Sequence, residues 1–132
     1  MAITVDRDDA RRWLRVCADV GITIDEVLTL LRTARASTAM QMWPMLCDLR
    51  GASSRMTDAD VDLAVAVVRH ALATRGPRAH VAIVAADDGL YRWMLAYETK
   101  CAEAGVRTIR VFRQLPDAER WLDIVSAARN LQ

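Results

Sequence analysis

The sequence predicts a single α/β domain spanning residues 1–132: an N-terminal β-hairpin, then alternating helices and strands forming a largely parallel sheet of about five strands with four helices. Three observations carry this expectation. From residue 23 onward, apolar residues alternate between helical spacing and short runs, in the order α, β, α, β, α, β, α. The stretch "HVAIVAADD" holds an uninterrupted apolar run from Val81 to Ala86, the pattern of a strand covered on both faces. Finally, 132 residues with 53% hydrophobic content suit one buried core and are too few for two.

The elements follow in order. Ile3 and Val5 alternate with polar neighbours, and after the charged turn "DRDDAR" Leu14, Val16 and Ala18 alternate with Trp13, Arg15 and Cys17. Thr23 followed by Glu26 is a capping-box pattern. With Ile24, Val27, Leu28 and Leu31 on one face, it predicts a helix over residues 23–35. Pro44 suits the start of a strand, and Met45 to Leu49 form a short apolar run interrupted by Asp48. The next helix begins near Thr57, buries Val61, Ala64, Val65, Val68 and Leu72, and stops at Gly76-Pro77. After the central strand, a helix runs over residues 89–104 and ends at Gly105. "VRTIRVF" is a further strand. "LPDAERWLDIV" then makes a last helix, with Pro116 in its first turn and Ala118, Trp121, Leu122 and Val125 on one face.

Composition excludes several function classes. Eighteen basic against 17 acidic residues give a net charge of +1, which offers no broad attraction to nucleic acid. All but one of the basic residues are Arg, the exception being Lys100. No apolar run approaches the ~20 residues that span a bilayer, so stable membrane insertion is not expected. The N-terminus lacks a signal-peptide pattern. Cys17, Cys47 and Cys101 are an odd number without metal-ligand spacing, which points to a reducing, cytoplasmic location, three thiols acting as small hydrophobes, and no structural metal. Neither GxSxG, GxxxxGK[ST] nor GxGxxG occurs.

A hairpin ending in "VCADVGIT", a helix, "PMLCDLRG", a helix, "VAIVAADD", a helix and "IRVFRQLPDAERWL" together resemble SpoIIAA-like proteins of the STAS fold class. That class includes anti-sigma-factor antagonists and shares features with CRAL-TRIO lipid carriers. The resemblance implies a non-enzymatic regulatory module. In STAS antagonists a strand ending in Asp-Leu leads through a loop to a phosphorylatable Ser at the next helix start. Counting forward from Asp48, the matching position here is Thr57. The usual Asp-Ser-Ser-Gly is replaced by Met56-Thr57-Asp58-Ala59, so the preceding Asp and the Gly are both missing. Thr57 with Asp60 also reads as a helix start, and Ser53 and Ser54 as turn residues. All three hydroxyls are therefore candidate phosphoacceptors with a structural alternative.

Two further groups of residues are candidates. Asp48, Asp87, Asp88 and Arg113 fall at strand ends, where ligands of parallel sheets gather. There Asp87 or Asp88 has helix capping as its structural role. Met40, Met42 and Trp43 precede a strand, while Tyr91, Trp93 and Leu95 exceed what the stripe Leu90, Met94, Tyr97 and Cys101 can hide. Both sets suggest an interface or a ligand groove. The expected function is a cytoplasmic, self-associating or partner-docking interaction module with no cofactor. The alternative is a carrier or sensor of an apolar small molecule or lipid, which an apolar pocket of a few hundred Å³ would favour over a flat patch.

Overall fold

In the computed structural model, which describes residues 3–33, 42–75 and 79–130, the hairpin pairs β1 (Ile3–Asp8) with β2 (Trp13–Ala18). Its four-residue turn closes when Asp8 accepts the Arg11 N–H (3.1 Å), and Arg12 takes a positive φ of 57°. Next come a two-residue strand β3 (Gly21–Ile22) and helix α1 (Ile24–Thr33). Thr23 and Glu26 form the expected reciprocal cap: the Thr23 N–H donates to Glu26 Oε1 (3.2 Å) and the Glu26 N–H to Thr23 Oγ1 (3.4 Å).

Strand β4 (Met45–Leu49), a short β5 (Ser53–Ser54), helix α2 (Asp58–Arg75), strand β6 (Val81–Ala85), helix α3 (Asp88–Glu103), strand β7 (Ile109–Phe112) and helix α4 (Leu115–Asn130) complete the chain. Helix α3 ends because Gly105 adopts φ +91°, a left-handed conformation that an L side chain resists, and Val106 N–H closes the last turn on Cys101 O (2.8 Å). The side chain of Leu31, and the Gly76-Pro77 stop, lie outside the described residues.

The main sheet has the order β1-β2-β4-β6-β7, parallel from β2 onward, and β3 pairs with β5 beside it. The fold is thus α/β, with four helices and a mostly parallel five-stranded sheet opened by a hairpin. The parallel strands are laid down in one direction across the sheet. Three right-handed crossovers in one direction place α1, α2 and α3 on the same face, and the chain reaches the other face only with α4. Burial follows this division. Leu14, Val16, Cys47, Ile83 and Val111 pack under the three helices with Val61, Val68, Leu90 and Met94. Trp13, Leu46, Ala82 and Val84 pack against Ala118 and Leu122 of α4.

Both edges of the sheet are guarded against further strand pairing. β1 carries Asp6, Arg7 and Asp8, and at the far edge Glu98 of α3 accepts the outward Val111 N–H (2.6 Å). Trp13 is roofed by the guanidinium groups of Arg11 and Arg15, at 5.0 and 5.7 Å from its ring centre, and both arginines pair with Glu119 of α4.

Candidate functional site

The carboxyl ends of the strands hold the polar residues that the sequence singled out. Their geometry is structural. Arg50 reaches back to Asp48 through two bonds, Nε to Oδ1 (2.8 Å) and Nη2 to Oδ2 (2.9 Å), which hold the Asp48 carboxyl below the usual carboxylate range. Asp87 caps α3 by accepting the Leu90 N–H (2.9 Å). Arg113 ties β7 to the neighbouring strand and helix. It donates to Ala86 O (2.7 Å), pairs with Asp88, and lies 4.3 Å from the Tyr91 ring centre. Its hydrogen bond lowers the Asp88 pKa. Asp48 and Asp88 therefore engage different arginines, and among the described residues no group of three or more His, Cys, Asp or Glu is placed to hold a metal ion. Among the described strands the one-way order also creates no reversal point, where α/β sheets open a ligand crevice.

Beside Asp48 a shallow polar depression is lined by Thr4, Cys17, Asp19, Asp48 and Arg50. Cys17 is exposed, unlike the buried Cys47 and Cys101, so only two of the three thiols behave as small hydrophobes. Desolvation first, then the charges of Asp48 and Asp6, push the Cys17 thiol up. It is therefore a poor nucleophile near neutral pH.

The hydroxyls of the β5–α2 loop are built into its turns. Ser54 Oγ accepts the Met56 N–H (3.1 Å), while Ser53 is exposed on β5, where it pairs with Gly21. Thr57 is exposed, and its N–H donates to Asp60 Oδ2 (2.8 Å). A carboxylate already occupies this helix start. A phosphate on Thr57 would meet the like charges of Asp58 and Asp60. The Thr57 carbonyl accepts the Trp93 indole N–H (2.9 Å), which fastens the loop to α3.

The apolar candidates separate in space. Trp93 is buried and stacks on Tyr97, with ring centres 5.9 Å apart. Tyr91, Leu95 and Trp43 are half-buried and pack against the core, Met42 is exposed, and Met40 lies outside the described residues. Trp93 forms part of the wall of an apolar cavity of about 90 Å³ between the sheet and the three helices. Val16, Cys47 and Ile83 line its sheet side, and Val27, Val68 and Tyr97 its helical side.

The largest unexpected feature is the outer side of α2. Its inward stripe is Val61, Ala64 and Val68, as the sequence implies. Opposite them, Ala59, Leu63, Ala66, His70 and Ala73 face solvent, with Leu63 47% exposed. Such a helix is apolar on both sides, and the same count of apolar positions that drew attention to Tyr91 and Leu95 would have exposed it. No family model, curated protein or solved structure matches this chain. What fold and site define is a class: an α/β module whose strand-end charges pair internally and whose middle outer helix is apolar toward solvent.

Proposed function

We propose that this chain is a non-enzymatic, STAS-like interaction module that self-associates through the outer face of α2. The observation that carries the reading is the self-complementarity of that helix. Its solvent stripe is apolar and small, Ala59, Leu63 and Ala66, followed by His70. Along the flank toward α3, Asp58 and Asp62 lie near the start and Arg69 near the end. An antiparallel two-fold pairing about Ala66 brings Asp62 of each copy beside Arg69 of the other. Such an isologous contact is the commonest route to a homodimer. Asp62 also pairs with Lys100 of α3 (2.6 Å), and its side chain keeps 69% of its exposure, which leaves room for a second cation.

The STAS-like part of the reading is supported by the element order, hairpin then α, β, α, β, α, β, α, on which the sequence resemblance rests. Sedimentation equilibrium tests the proposal. Wild type is expected to form a dimer that Leu63→Arg converts to a folded monomer, with an unchanged circular-dichroism spectrum and a melting temperature that no longer depends on protein concentration. Asp62→Arg and Arg69→Asp should each weaken the dimer, and the double exchange should restore it. A monomeric wild type, or a dimer indifferent to Leu63, sinks the idea.

A further inference from the structure

The cavity beneath the helical layer is too large to be an ordinary packing gap, since protein interiors hold few voids bigger than one water. Its ~90 Å³ is about three times the ~30 Å³ share of a water in the liquid. Water is a poor occupant, because a buried water needs two to four polar partners. Among the described lining residues none carries a charge; the polar ones, Cys47, Trp93, Tyr97 and Thr108, turn little polar surface to the cavity, and the Trp93 indole N–H is already given to Thr57 O. We infer that this cavity is a binding site for a compact, neutral aliphatic group of about three or four carbons, the size set by that volume and the neutrality by the uncharged lining. A free branched alcohol and the tip of a longer chain share this chemistry. A carboxylate on so short a group would have to be buried among apolar atoms and is rejected.

Occupancy has a built-in outlet. Trp93 forms part of the cavity wall and also holds the carbonyl that precedes α2, so a ligand pressing on the ring bears on the β5–α2 loop.

Methyl NMR of the intact chain provides the test, with xenon, 2-methylpropan-1-ol and isobutyrate as probes. Xenon and the alcohol are expected to give saturable shifts at the methyls of Val68, Ile83 and Val106 and none at Leu46, Val84 or Leu122 on the opposite face. Isobutyrate should bind at least tenfold more weakly. Val68→Phe, which fills the cavity, should abolish the shifts. If that variant does not fold, Val68→Ile should weaken the alcohol several-fold. Shifts that never saturate, or that fall equally on both faces, overturn the site; equal binding of isobutyrate overturns its neutral specificity.

Discussion

The two faces of the sheet are built from the same strands, yet they pack differently. On the α4 face a single helix crosses the middle strands, and Trp13, Leu46, Ala82, Val84, Ala118 and Leu122 are all essentially inaccessible to solvent. On the other face three helices must meet one another as well as the sheet, and their junction leaves the apolar cavity beside Trp93 and Val68. One helix needs only one matching surface, whereas three must satisfy several contacts at once. The lesson is that the same β6 residues, alternating between Ala82 or Val84 and Ile83, serve a close-packed core on one side and the wall of a cavity on the other.

That comparison can be broken by substitution. The largest effect is expected from Leu122→Ala on the filled face, about 3 kcal/mol of stability lost by urea unfolding, within the ~2–5 kcal/mol typical of buried Leu truncations. The sharper contrast adds methylenes to each side. Ala82→Val should cost about 1–3 kcal/mol by overpacking, whereas Val68→Ile should raise stability by about 0.5–1 kcal/mol by entering the cavity. Equal losses from both would show the two faces to be alike. At the sheet edge, Glu98→Ala removes the acceptor for the Val111 N–H and should cost about 1–2 kcal/mol, with greater aggregation on concentration.

The gentlest probe is pH. Burial, partly offset by a hydrogen bond from Tyr97, pushes the Cys101 thiol from 9.0 to about 11. A thiol held neutral in the folded state lends stability that is complete below pH 9 and lost as pH rises toward about 11, because the unfolded chain ionises first. Alkaline melts of wild type should therefore fall more steeply over that window than those of Cys101→Ala, with a difference that vanishes at neutral pH.

Most elements were legible because they rest on neighbours close in sequence. Thr23 and Glu26 announce a cap that forms as written, and the run of Val81 to Ala85 is buried as a central strand should be. The excess on α3 was legible only as an excess. Tyr91 is covered by Arg113, a residue 22 positions away in the chain, and Trp93 is taken up by the cavity wall and the Thr57 carbonyl. Asp48, Asp87 and Asp88 read as a possible cluster because strand ends converge in parallel sheets, but Arg50, a helix start and Arg113 each claim one of them.

The periodicities, the caps and the order of strands and helices are local properties, since each depends on side chains within a few residues of one another. Which apolar surplus is hidden and which is left facing water depends instead on how distant elements pack. α3 lies against the sheet edge and is covered by Arg113, whereas the outward side of α2, with Leu63 and Ala66, has no other element over it among the described residues. Burial is a property of the neighbours that a fold brings together, and no local pattern contains them.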